Sequence, residues 1–166
     1  MEERRFEREP RGTDRNETGL ERLDRNLVEL LQEVRVVQTG VQVLFAFLLT
    51  VPFSARFDDI TDFQRGVFFV ALVGSAAASI LLIAPTAVHR LLFRRGEKEY
   101  MVEVSNRLAI GGLACLALAM VAVMLLVSDI LFGTGVAIVV AVLTLVAFVV
   151  VWAVMPLRQR ARPRRR

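Results

Sequence analysis

The hydrophobic positions of this chain are concentrated in four long runs separated by short polar stretches. The runs cover residues 34–53, 67–88, 108–127 and 135–155. A bilayer core of about 30 Å is crossed by about 20 helical residues, and every run reaches that length. Apart from Arg35 at the start of the first run, none contains Asp, Glu, Lys or Arg. The pattern therefore predicts an all-α integral membrane protein with four spanning helices.

These runs are too apolar for a soluble helical bundle. Helices of a soluble bundle keep a polar stripe on the side that faces water. The stretches LALAMVAVMLLV (116–127) and VAIVVAVLTLVAFVVVW (136–152) have no such stripe. The chain is 55% hydrophobic, with a mean hydropathy of +0.52, whereas ordinary soluble domains contain about 45–50% apolar residues. Residues 34–155 are therefore predicted to form one transmembrane domain.

The N-terminal part is polar and divides into an arm and a short amphipathic helix. Residues 1–19 are rich in both charge signs and have little apolar surface to bury, which predicts disorder. Apolar residues then recur at 3-4-3-4 spacing, at Leu20, Leu23, Leu27, Leu30 and Val34. This spacing predicts an amphipathic cytoplasmic helix over 20–33 that continues into the first span. Its apolar face has three alternatives: it lies on the membrane surface, packs under the spans, or pairs with a second copy.

Basic residues alternate along the chain between rich and poor polar stretches. Residues 1–35, 89–107 and 156–166 hold eight, five and six Lys plus Arg, whereas 54–66 and 128–134 hold two and none. Cytoplasmic loops carry the excess of Lys and Arg in membrane proteins. The counts predict that both termini and the middle loop face the cytoplasm. No apolar stretch precedes the first span, so that span is expected to serve as its own insertion signal.

The net charge of +4 lies almost entirely in the C-terminal sequence LRQRARPRRR (157–166). A basic cluster beside a membrane gains roughly 1 kcal/mol per residue at anionic headgroups. The disordered tail 156–166 is therefore predicted to bind the anionic surface of the lipid bilayer. The sequence has no zinc-ligand spacing, Gly-rich phosphate loop or basic–aromatic interleaving, so nucleic acid is not an expected partner.

The first span carries polar residues inside an otherwise apolar run. Arg35, Gln38 and Gln42 stand at i, i+3 and i+7, which places them within about 60° on one helix face. An amide that faces lipid leaves its hydrogen-bonding groups unpaired, at a cost of several kcal/mol. The stripe is therefore expected to face other helices or a wet crevice.

Candidate partners for this stripe occur at the inner ends of the second and third spans. The predicted inner-face polar cluster comprises Arg35, Gln38, Gln42, His89, Arg90 and Asn106. Histidine titrates nearest to neutral pH, and His89 is the only one in the chain. It is either a proton-carrying group or an ordinary helix-end residue. The glutamines either hold helices together or contact a substrate.

The same residues carry a family resemblance. The segments QEVRVVQTGVQVLFAFLLTVPF (32–53) and APTAVHRLLFRR (84–95), followed by Asn106 at the start of a third span, resemble a family of small four-span membrane proteins frequent in actinobacteria. The family is one of unknown function, and some of its members carry the label sodium:proton antiporter. The resemblance covers roughly Arg25 to Met155. It implies a bacterial plasma-membrane protein and supplies no catalytic residues.

Three classes of function are compatible with a four-span protein to different degrees. Proton–cation exchange usually needs an ionisable carboxylate within the spans, and the four apolar runs contain none. No Ser/His/Asp set, carboxylate pair or metal-ligand cluster is evident, and Cys115 is the only cysteine, so we expect no enzyme, cofactor, metal or disulfide. We predict a non-enzymatic accessory or structural protein, assembled as a homo-oligomer or with another membrane protein. The alternative is a small ion transporter such as a sodium:proton antiporter.

Overall fold

The computed structural model describes residues 19–55, 57–92 and 98–154, and almost all of them are helical. The predicted arm (apart from Gly19) and the predicted tail 156–166 lie outside the described residues. Four long helices follow in chain order: α1 (Gly19–Thr50), α2 (Asp62–Leu92), α3 (Lys98–Phe132) and α4 (Thr134–Val149). Two 3₁₀ turns, Val51–Phe53 and Phe57–Asp59, lie between α1 and α2, and a π-helical turn, Val150–Val154, extends α4.

All four helices are long and apolar enough to cross a membrane, which confirms the predicted all-α, four-helix architecture. The predicted spans 34–53, 67–88 and 108–127 lie within helical segments, and 135–155 does so up to Val154. The helices continue past the apolar runs because charged residues are good helix formers. Glu103 and Arg107, for example, form an ion pair one turn apart in α3, which supports the helix there.

The connection between α3 and α4 is shorter than the sequence pattern suggests. The polar stretch 128–134 separates the third and fourth apolar runs in the sequence, but Ser128–Phe132 continue α3, and only Gly133 separates the two helices. Gly133 has a φ angle of 82°. Glycine enters this left-handed region without the steric cost of a Cβ atom. A single glycine therefore ends α3 and lets α4 begin at the next residue.

The most extensive packing joins α2 to α3. Glycines on both helices allow the close approach, since a small residue at the contact brings two backbones together. A Cβ placed at Gly74 would lie 3.3 Å from the Cβ of Ala119, and one placed at Gly112 would lie 2.7 Å from the Cγ of Leu82. The α2–α3 hairpin is thus the centre of the bundle.

α1 is one unbroken helix, as predicted for the segment 20–33 and the first span. Its buried residues are spaced seven apart, at Leu27, Val34, Val41 and Leu48, and none is more than 6% exposed. This heptad spacing is typical of a coiled-coil seam. Val34 and Val41 pack in one core cluster with Ala78, Leu82 and Ala109. The seam is therefore buried within its own chain, which favours packing under the spans among the three alternatives for this face.

α4 lies at the edge of the bundle. Of the other three helices it packs against α3 alone, and α1 and α4 do not touch within the described part of the chain. Only Ala137 and Ala141 are buried on α4. An apolar crevice of about 440 Å³ lies between α1 and α3 and reaches Trp152. The bundle is therefore open along one side.

Candidate functional site on the first helix

The three polar residues of α1 lie beside the buried seam and turn away from it. Arg35 follows the buried Val34 by one position, and Gln42 follows the buried Val41, so each is about 100° around the helix from the seam. Arg35 and Gln42 are exposed, and Gln38, which is nearer to the seam, is half-buried. These three residues are named the α1 polar stripe below. Most of the stripe faces away from the other helices of the chain.

The amides of the stripe have no partner within the described residues 19–55, 57–92 and 98–154. Neither Gln38 nor Gln42 makes a side-chain hydrogen bond there. Thr39 differs, because its hydroxyl donates to the carbonyl oxygen of Arg35 at 3.2 Å. Gln42 lies eight residues before Thr50, the last residue of α1, or about 12 Å from the helix end. If α1 crosses a membrane, this amide lies within hydrocarbon and needs a partner beyond the described residues.

His89 and Arg90 lie at the end of the bundle where α2 ends and α3 begins, which is here termed the inner end. His89 is half-buried with its Nδ1 atom shielded from solvent, and Arg90 is exposed. Leu82 and Val37 of α1 line the same cavity. His89 is seven residues beyond Leu82, or about 10 Å closer to the inner end, whereas Gln42 lies five residues beyond Val37 in the opposite direction. His89 and Gln42 are therefore at different depths.

Asn106 shares a cavity with Glu33 and not with the α1 polar stripe. It is exposed on α3 and, together with Glu33, lines a cavity of about 150 Å³ whose other walls are apolar. None of the α1 polar stripe lines that cavity. The six residues of the predicted cluster thus occupy three surfaces: the α1 polar stripe, the inner end of α2, and the cavity shared by Asn106 and Glu33.

A hydrogen-bonded cluster at the opposite end of the bundle is absent from the sequence predictions. The backbone N–H of Thr61 donates to Oε1 of Gln64 at 3.1 Å, and the N–H of Gln64 donates to Oγ1 of Thr61 at 3.2 Å. This reciprocal pair is a capping box at the start of α2. Nε2 of Gln64 also donates to Oδ2 of Asp129 near the end of α3, at 2.7 Å. The Thr-x-x-Gln spacing is a local signal for the cap, but no local signal reveals a partner 65 residues away.

The amides of the α1 polar stripe have the donors and acceptors needed for hydrogen bonds between helices. A glutamine amide carries two N–H donors and one carbonyl acceptor, and such side chains hydrogen-bond between helices in membranes. Within the described residues, no group of three or more His, Cys, Asp and Glu side chains is placed to hold a metal ion. The arrangement can bind a polar partner on an apolar helix.

Comparison with known proteins adds one finding. No curated protein and no solved structure matches the chain significantly. A family profile described as a family of unknown function (DUF6328) matches residues 16–156. The matched range contains all four helices, the α1 polar stripe and the other residues of the predicted cluster. The resemblance to a family of unknown function is confirmed to that extent. The chain belongs to this family of unknown function.

Proposed function

We propose that this chain is a non-enzymatic integral protein of the bacterial plasma membrane with both termini in the cytoplasm. Its role is accessory or structural, and it acts by assembling with other membrane helices. The orientation follows from the distribution of Lys and Arg. The basic tail adds contact with anionic lipid headgroups.

One observation carries this proposal: the α1 polar stripe exposes amides on a helix apolar enough to cross a membrane. Hydrocarbon offers these amides no hydrogen-bonding groups, so leaving them against lipid costs several kcal/mol. The described part of the chain gives them no partner either. A helix of another polypeptide would supply the missing hydrogen bonds, and this is the sense in which the protein is proposed to assemble.

Ion transport is the alternative that the family resemblance raises. A shared ion path would require the glutamines of α1 and His89 to line one continuous channel. Leu82 and Val37 of α1 line one cavity, and His89 lies about 10 Å closer to the inner end than Leu82. The titratable group is therefore away from the amides. This separation favours an assembly role for the stripe over a proton path.

Reconstitution in liposomes tests the proposal. The purified full-length protein is placed in vesicles that carry a sodium or proton gradient, and internal pH and sodium are recorded over time. We expect fluxes equal to those of protein-free vesicles, because an assembly protein moves no ions. Replacing Gln42 by Leu or His89 by Gln should leave these traces unchanged.

A matched variant makes the result interpretable. Val43, next to Gln42, is 54% exposed and apolar, so Val43→Leu controls for a general effect of changing this face. Gradient-driven flux that persists in Val43→Leu but is lost in Gln42→Leu would favour the transporter. So would a flux whose dependence on pH between about 5 and 8 disappears in His89→Gln.

A further inference from the structure

The exposed face of α1 contains the features that a second α1 helix needs. The buried heptad seam of α1 is already occupied by α2 and α3 of the same chain. Any partner of α1 must therefore dock on the opposite, exposed side. That side carries Gln42 together with two small residues, Thr39 and Ala46, which are both exposed. Thr39 and Ala46 lie about 60° and 40° from Gln42 around the helix, so another backbone has room to approach there.

The chemistry of Gln42 selects the kind of partner. An amide is self-complementary, because its N–H groups donate and its carbonyl accepts. Two copies inserted in the same orientation hold Gln42 at the same depth. A two-fold axis normal to the membrane then brings each amide opposite its own equivalent, so that each side chain donates to the other and accepts from it. Isologous pairing of this kind is the commonest symmetry of protein dimers.

The charge at the inner end of the stripe is compatible with such a pair. Arg35 lies seven residues from Gln42, or about 10 Å along the helix. Helices that cross near Gln42 diverge from each other by the level of Arg35. Each guanidinium group can then extend to the lipid headgroups, as long basic side chains do near helix ends.

We infer that the exposed face of α1 is a self-association surface, on which α1 of a second copy packs in parallel. Gln42 of each copy hydrogen-bonds to Gln42 of the other within the membrane, and the small residues Thr39 and Ala46 allow the helices to approach. This inference rests on the proposed assembly role and names its partner as a second copy of this chain.

Cysteine cross-linking in the full-length protein tests this surface. In a Cys115→Ala background, Ala46→Cys places a thiol on the proposed interface and keeps both glutamines. Phe47→Cys is the matched control. Phe47 is adjacent and 70% exposed, but it lies five residues from Gln42, or about 140° around the helix. Under mild oxidation in liposomes, we expect Ala46→Cys to give a product of twice 18.6 kDa, several times more abundant than that from Phe47→Cys.

Adding substitutions at Gln42 to Ala46→Cys tests the role of the amide. Because the two-fold axis gives two such hydrogen bonds per dimer, Gln42→Leu should raise the dissociation constant of the dimer roughly eightfold. The dissociation constant is measured by varying the protein-to-lipid ratio. Gln42→Asn keeps the amide and should restore part of the cross-linking.

The cross-linking outcomes separate the inference from the proposed function. Equal cross-linking at positions 46 and 47, or an unchanged yield in Gln42→Leu, would overturn the self-association surface. So would a full-length protein that stays monomeric at every protein-to-lipid ratio. Ion flux in the liposome experiment would instead overturn the proposed function, whatever the cross-linking yields.

Discussion

At the scale of single residues, Gly112 is the position where one missing side chain sets the packing of the bundle. A Cβ there would lie 2.7 Å from Cγ and 2.9 Å from Cδ2 of Leu82. Leu82 is fully buried and has little room to move. We therefore expect Gly112→Ala to lower the free energy of unfolding by about 1–3 kcal/mol, the usual effect of overpacking a core. The measurement is thermal unfolding in detergent. Unfolding is monitored through the reaction of the half-buried Cys115 thiol with a fluorogenic reagent.

Gly66 is the matched control for this prediction. Gly66 lies in α2 and Gly112 in α3, but a Cβ placed at Gly66 would meet nothing within 4 Å. Alanine is a better helix former than glycine by about 1 kcal/mol, so Gly66→Ala should leave stability unchanged or raise it. Equal losses for both variants would show that close contact with Leu82 is not the cause.

At the scale of helices, Gln64 joins the start of α2 to the end of α3. Its Oε1 accepts from Thr61, and its Nε2 donates to Asp129. Gln64→Glu keeps the acceptor for the cap but brings a carboxylate to face Asp129, so we expect a lower melting temperature. Adding Asp129→Asn should recover most of the loss, because the new amide can donate to the new carboxylate. The melting temperatures of the two single variants and the double variant form a double-mutant cycle. Additive losses in the Gln64 and Asp129 variants would show that the two helices are not coupled there.

The cap itself is tested separately. Thr61→Ala removes the side chain that accepts from the N–H of Gln64 but keeps the bond to Asp129, and an N-cap loss of this kind costs about 1 kcal/mol. Arg65→Gln is the control for a general effect at this helix start. Its 3.9 Å ion pair with Asp62 is exposed, and such pairs contribute little.

Helix periodicity explains which parts of this structure could be predicted. The 3-4-3-4 spacing from Leu20 to Val34 indicated an amphipathic helix, and the same heptad register continues to Leu48. The sequence also placed Arg35, Gln38 and Gln42 on one helix face. It could not say which neighbour that face meets, because periodicity fixes positions around one helix but not the arrangement of others. The bond from Gln64 to Asp129 was beyond reach for the same reason.

At the scale of the whole molecule, large apolar side chains are exposed on every helix, among them Val36 (73%), Ile80 (69%), Ile110 (58%) and Leu143 (63%). Soluble monomers rarely expose contiguous apolar patches larger than a few hundred Å². In a bilayer the same side chains contact lipid tails and carry no such penalty. The surface thus fits a chain whose helices lie within a bilayer.

The orientation of the whole molecule gives the last prediction. An even number of spans puts both termini on one side of the membrane, and the basic stretches predict that this side is the cytoplasm. Single cysteines are introduced at Gly12, Gly96 and Asp59 with Cys115 replaced, and intact cells are treated with a membrane-impermeant thiol reagent. Asp59 is exposed in the connection between α1 and α2, so its cysteine should react. Those at Gly12 and Gly96 should react only after the cells are lysed. Labelling at Gly96 but not at Asp59 in intact cells would invert the topology and place the basic tail outside.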